Sequence, residues 1–536
     1  MNRKAPLFAL VALLAAGPLT LFACLDDFSV GTAASDGGGG GGGDGMVTGE
    51  GGPGADGSTD AGSDAADAAD LTCVGPTGKF VASATFPFSG TNHSLVGTSD
   101  GGYVFVGDFR GNVTYGDAGI IMGNTTTMDG AVVRFNPDGS LKWQAHFGGT
   151  GSDTFQGVTV DAKDDVYVTG YFSSTSFTIG VPFTNNAGAN LGIVAKLDGA
   201  NGAVLWAHSF LPGYFGYGCS AIDFDSGRLV ASCSMGTTQT YDNGAGTTAV
   251  LQGTQAAGAA VYGLDPVTGY VLWGKGLGAV TADMSAATYV NSVDVTATGT
   301  VVAGTFSGGA LTEKQTNAIT VPQIGTKQNG FVTELSASNP ALPLWAKGFG
   351  DSASVGQVNS TSAAGSSTTG IVVGGSFSGT IQFGAQPHAS VGSSDAFVIM
   401  LRNKAGAPDW EKYFGGTSSE SINRVRYDIC GRPEALLFAQ SVLATTDGVT
   451  IPAPQANGVA SIVVKMDPKD GKLFWASGVT PGGNVDLNGI NGYDLAVDVK
   501  GVSLVVGDFR GAVDLGSGTP SVANGGSHPY VIGYAP

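Results

Sequence analysis

Basic residues are scarce in this chain. Lys and Arg number 24 among 536 residues against 43 acids, a formal net charge of −19. Nucleic acid is therefore excluded as a partner, because gripping a phosphate backbone requires Lys and Arg to displace counterions. Histidine is scarcer still. His93, His146, His208, His388 and His528 have no paired spacing and no H-E-x-x-H, so a histidine-built zinc site has no local support. There is no G-x-S-x-G and no Walker motif. No cofactor, metal or catalytic set is assigned. Charged residues make up only 12%, roughly half the usual share, whereas glycine, at 89 residues, is about twice as frequent as usual. That balance suits many short strands joined by tight turns.

The N-terminus reads as an export signal. Arg3 and Lys4 supply the positive region, and Ala5 to Leu19 form an apolar stretch short for a membrane span. The following Leu21-Phe22-Ala23-Cys24 resembles the bacterial lipobox, although Phe22 is bulkier than that pattern usually shows. The resemblance implies a signal peptide over 1–23 and lipidation of Cys24, with the membrane as a partner through the N-terminal lipid. Residues 24–72 hold an unbroken glycine run, Gly37 to Gly43. Between Cys24 and Cys73 stand nine Asp, one Glu and no Lys or Arg. With nothing apolar to bury and its charges repelling one another, this segment is expected to be a disordered tether. Leu25 is not an inner-membrane retention signal, which favours the outer membrane or cell surface.

Beyond the tether, all six tryptophans recur in one context. Trp143, Trp206, Trp273, Trp345, Trp410 and Trp475 are separated by 63, 67, 72, 65 and 65 residues. Each interval carries four strand-like runs with alternating apolar residues, as at Gly157 to Asp161, Asp165 to Phe172, Gly192 to Leu197 and Ala203 to Phe210. Asp138-Gly139, Asn201-Gly202 and Asp470-Gly471 suit tight hairpins. Four strands per repeat make a propeller blade. The second strand of each unit carries V-x-G-x-F or a drifted form, from Val106-Gly107-Asp108-Phe109 to Val506-Gly507-Asp508-Phe509, and these count seven. The seventh unit lacks an outer strand, while an orphan, Gly78 to Phe86, precedes the first and places Phe80 or Val81 near the tryptophan position. The expected architecture is all-β: one seven-bladed propeller of four-stranded antiparallel blades over 73–536, its last blade closed by the N-terminal strand. The tryptophans are then packing between blades.

Phe147-Gly148-Gly149-Thr150-Gly151-Ser152-Asp153 and Asp165-Val166-Tyr167-Val168-Thr169-Gly170, with their copies, resemble the bacterial β-propeller repeat called SBBP. The phrase Asp265-Pro266-Val267-Thr268-Gly269-Tyr270-Val271-Leu272-Trp273 is similar to the outer strands of quinoprotein repeats. Both families imply propellers, and neither implies one activity.

Three sets of residues qualify as sites. Setting Cys24 aside, Cys219 and Cys233 lie on adjacent strands of the third unit and form the better disulfide candidate, with a Cys73–Cys430 pairing left open. Asp108 and Arg110 recur as Asp508 and Arg510 on blades that ring closure makes neighbours, giving a ligand contact or an inter-blade polar patch. The first strands offer Ser94, Thr159, Asp223, Asp294, Asn359 and Asp494 to the central channel, a few acids without an obvious catalytic set. The leading expectation is a noncatalytic binding or scaffold lipoprotein of the cell envelope that engages an envelope protein or a glycan. The alternatives are a propeller enzyme, either a quinone-dependent oxidoreductase or a polysaccharide-directed hydrolase, and an adhesin or carbohydrate-binding protein.

Overall fold

The computed structural model describes residues 77–536 apart from 87–89, 116–117, 124–125, 187, 212–217, 245–247, 254–257, 280–285, 314–318, 341, 353–355, 367, 385, 403–406, 444–446, 453–457, 480–488 and 516–520. The signal region, Cys24, the tether and Cys73 lie outside the described residues. Within them the protein is all-β, a ring of seven four-stranded antiparallel blades. Blade two shows the plan: Asp153–Val160 innermost, then Val166–Phe172, Leu191–Leu197 and, at the rim, Val204–Phe210. The ring closes through blade seven, where Phe80–Thr85 pairs antiparallel with the C-terminal Ser521–Tyr534. Its register puts Ala82, rather than Phe80 or Val81, in the tryptophan position.

Middle strands are buried on both faces, as the fully buried Leu191–Leu197, Asp395–Leu401 and Ala460–Met466 show. This is why they read as continuous apolar runs instead of clean alternation. The core is accordingly distributed among seven clusters, each spanning one seam between adjacent blades. Val104, Val132 and Trp143 of blade one, for example, meet Phe155, Val168 and Ile193 of blade two.

The tryptophans fasten these seams at the rim. Trp143, Trp206 and Trp410 donate their indole N–H to carbonyls in the next blade's outer turn, Gly199 at 2.8 Å, Pro266 at 3.4 Å and Pro468 at 2.9 Å. The same rings lie over Gly202, Gly269 and Gly471, whose φ values are +74°, +76° and +74°. A Cβ there would stand 2.7, 2.5 and 2.7 Å from the indole, so glycine is required by both conformation and contact. Trp345 instead donates to Glu334 of its own blade, at 2.8 Å. The blade-five sequence at the corresponding place, residues 402–409, lacks the Asp-x-x-x-Gly of Asp198–Gly202, Asp265–Gly269 and Asp467–Gly471.

Two features escaped the sequence reading. Among the described residues, five blades carry a separate short hairpin between their second and third strands, such as Ser176–Ile179 with Val181–Thr184, and in blade seven the two strands themselves run on into one, pairing Gly511 to Val513 with Ser521 to Ala523. In blade four this hairpin reaches across the seam, and Leu311–Glu313 pairs with the rim strand Val271–Ala279 of blade three. The rim strands also bulge just before the tryptophan, which leaves Leu205, Leu272 and Leu344 exposed. Bulges of this kind interrupt an edge that would otherwise template strand addition.

Candidate functional site: the central channel

The innermost strand of each blade is a sheet edge, so alternate N–H and C=O groups have no partner within the blade. Neighbouring blades supply the partners. Ser292 accepts the N–H of Ala363 at 2.9 Å, Ser362 that of Val425 at 3.3 Å and Asp494 that of Leu95 at 3.2 Å. One level further along, Asp223 accepts the N–H of Val295 at 2.6 Å and Asp294 that of Gly365 at 2.7 Å. In each case a side chain of one blade caps the edge of the next.

These carboxylates belong to the lower end of the channel, the end bearing the turns between first and second strands. Arg424 and Arg426 of blade six face them. Arg424 is ion-paired with Asp494, whose side chain is fully buried and also accepts from Ser94 at 2.5 Å. Arg426 Nη1 lies 3.8 Å from Asp294 Oδ1, and Thr159 donates to Asp223 at 3.4 Å. Burial, reinforced by the charge of Asp223, pushes Asp294 up to about 7, with Arg426 only partly offsetting the rise. Burial also raises Asp223 and lowers Arg424, in the latter case against the pull of Asp494.

The upper end, where the chain enters each inner strand, differs. Every inner strand breaks its ladder with one extra residue: His93, Gln156, Ser220, Asn291, Asn359, Asn423 and Tyr493. Six stand at the same rung, and Asn359 stands two rungs nearer the strand start. All seven are reached by solvent, while the residue preceding each is buried. A bulge re-aims a side chain out of the pleat, and here it does so toward the axis. The result is a ring of polar hydrogen-bonding groups. Some also span seams: Ser220 donates to Val290 O at 3.0 Å, and Asn423 to Gly492 O at 2.8 Å. Among the described residues, the side chains of Gln156 and Asn291 make no hydrogen bond.

Asp108 and Asp508 lie behind this ring. Asp108 receives His93 Nε2 at 2.9 Å and Thr154 of blade two at 3.0 Å. Asp508 receives Asn491 at 3.0 Å and Tyr493 at 2.9 Å. Arg110 and Arg510 are exposed, and among the described residues neither pairs with a carboxylate. The aspartates thus orient His93 and Tyr493, whose rings are 6.2 Å apart across the closing seam. Cys219 and Cys233 are joined by a disulfide on adjacent strands of blade three. Cys430 is also disulfide-bonded.

Of the inner-strand residues singled out in the sequence, Ser94 and Asp494 share one level, Thr159, Asp223 and Asp294 the next, and Asn359 belongs to the upper ring. Arg424 and Arg426 were missed. Their signal was an Arg-x-Arg pair on one strand face in a chain poor in basic residues. A crevice of about 230 Å³ at the outer seam of blades six and seven, lined by Phe80, Pro452, Leu515 and Tyr534 among others, stands apart from the channel. Among the described residues no group of three or more His, Cys, Asp or Glu is placed to hold a metal ion.

Fold and channel together define a seven-bladed β-propeller with an ion-paired lower mouth and a polar upper one. No family model and no curated protein matches the chain. Among solved structures, quinohemoprotein alcohol dehydrogenase from Comamonas testosteroni aligns at 11% identity over 85% of this chain and 76% of that one, with a TM-score of 0.35. BamB from Moraxella catarrhalis aligns at 11% identity over 85% and 97%, with a TM-score of 0.30. A protein of unknown function from Dyadobacter fermentans DSM 18053 aligns at 9% over 85% and 98%, with a TM-score of 0.37. Likeness this distant carries no functional argument.

Proposed function

We propose that this chain is a noncatalytic binding or scaffold lipoprotein of the cell envelope, cleaved after residue 23, acylated on Cys24 and carried on the 24–72 tether. The propeller presents its upper channel mouth to an envelope protein or glycan. The observation that supports this reading is the division of labour along the channel. The lower charges are occupied with one another and with backbone edges, whereas the upper ring leaves hydrogen-bonding groups in contact with solvent. The test is retention of partners from detergent-solubilised envelope by the full chain, by Cys24→Ala and by a Gln156→Ala/Asn291→Ala double variant. Wild type and Cys24→Ala are expected to hold the same partner and the double variant to lose it. Equal retention by all three would place binding elsewhere on the propeller. An alkyne fatty acid fed to cells should label wild type and leave Cys24→Ala unlabelled.

A second reading, the polysaccharide-directed hydrolase, draws on Asp294. A carboxyl raised to about 7 beside a second acid and an arginine has the character of a general acid. Polysaccharide cleavage that disappears in Asp294→Asn with no loss of stability would favour it over the scaffold.

A further inference from the structure

Resting on the binding reading above, we infer that the upper ring is a site for a neutral carbohydrate, an uncharged oligosaccharide entering the channel end-on. The bulges place at one mouth four carboxamides, Gln156, Asn291, Asn359 and Asn423, together with the rings of His93 and Tyr493. A carboxamide offers two donors and an acceptor within one planar group. Neighbouring sugar hydroxyls, each both donor and acceptor, match that pattern. The aromatic rings supply apolar faces with polar edges, suited to the C–H face of a pyranose. The two carboxylates near this level, Asp108 and Asp508, are already engaged by His93, Thr154, Asn491 and Tyr493. They stand behind the ring and fix ring orientation, so the side chains that the bulges themselves present include no carboxylate, ammonium or guanidinium to select an ionic ligand.

An extended peptide is the competing occupant, since carboxamides also pair with backbone amides. The ring favours the sugar because peptide recognition draws its specificity from pockets for alternate side chains, and the bulge residues provide polar groups at every position instead.

The full chain would be titrated by calorimetry with cellohexaose, maltohexaose and chitohexaose, with polygalacturonate as an acidic saccharide and with an unstructured neutral peptide. At least one neutral hexasaccharide is expected to bind, with affinity unchanged between about 50 and about 500 mM salt because no ion pair is involved. Gln156→Ala/Asn291→Ala should weaken it at least about tenfold, a loss of about 1.4 kcal/mol. Neither side chain holds a seam, so the double variant should keep the wild-type melting temperature. Binding by the peptide alone, or salt-sensitive binding of polygalacturonate alone, overturns the ligand class while leaving the binding propeller standing. Absence of any saccharide binding, with an envelope partner still captured through the ring, overturns it equally. If no envelope partner is captured either, the underlying binding reading falls as well.

Discussion

The two ends of the channel use the same seven strands to opposite effect. At the lower end, side chains of one blade satisfy the edge of the next, and the charged groups compensate one another: Arg424 with Asp494, Arg426 with Asp294. At the upper end a one-residue bulge lifts a polar side chain out of every ladder, and the groups it exposes are only partly used in holding seams. A closed ring needs no covalent staple, yet it must keep seven edges satisfied at its centre. This molecule does so with charges and hydroxyls at one end and so frees the other. Damage below should therefore appear as lost stability, and damage above as lost binding.

The largest effect is expected at Asp494. Its side chain is fully buried and serves Arg424, Ser94 and the N–H of Leu95 together. Asp494→Ala strands a guanidinium and a backbone donor, and breaking one partner of such a pair costs about 3–5 kcal/mol. Urea denaturation reads this directly. A loss below about 1 kcal/mol would mean that the lower charges are solvated and not structural. Asp294→Asn should move stability the other way and by less. Its folded-state titration is raised above the ordinary 3.8 to about 7, so the native state holds the proton longer than the unfolded chain. That contribution is present in full below the unfolded value and is lost as pH climbs from about 4 through about 7. The asparagine keeps an acceptor for the N–H of Gly365 and removes the repulsion from Asp223. The variant is expected to match wild type at pH 4 and to exceed it at pH 8 by on the order of 1 kcal/mol. A variant less stable than wild type at pH 8 would show that the attraction of Arg426 outweighs the repulsion of Asp223.

Much of the ring was legible because its signals repeat. Seven second strands count the blades, six tryptophans mark all but one of the rim strands, and the orphan Gly78 to Phe86 could belong only to the blade short of one strand. The channel was less legible for a single physical reason. One inserted residue flips which side chains face the axis, so choosing one polar residue per inner strand placed Ser94 and Asp494 alongside Asp223 and Asp294, which occupy a different level. The insertion shows in the sequence only as broken alternation, for instance in Thr91-Asn92-His93-Ser94, and becomes a pattern when the strands are laid side by side. Arg424 and Arg426 were overlooked for the same reason. The rim tryptophans misled by one or two residues in blade seven, where the bulge at Val81 moves the equivalent position to Ala82.

The smallest effect on stability belongs to the upper ring, and its smallness is what sharpens the comparison. Asn291 and Gln156 are partly exposed, their side chains make no hydrogen bond among the described residues, and neither caps an edge. Each alanine substitution should stay within about 0.5 kcal/mol of wild type, the usual range for surface positions free of structural duties. Ser220→Ala and Asn423→Ala provide the internal contrast. They stand in the same ring, but their side chains donate across seams to Val290 and Gly492, so each should cost about 1 kcal/mol. If all four substitutions cost the same, bulging itself, whatever the side chain, governs the upper end. If the first pair is neutral and the second is not, the ring contains both structural members and members free for recognition, and only loss of the free ones should abolish binding while the propeller stays folded.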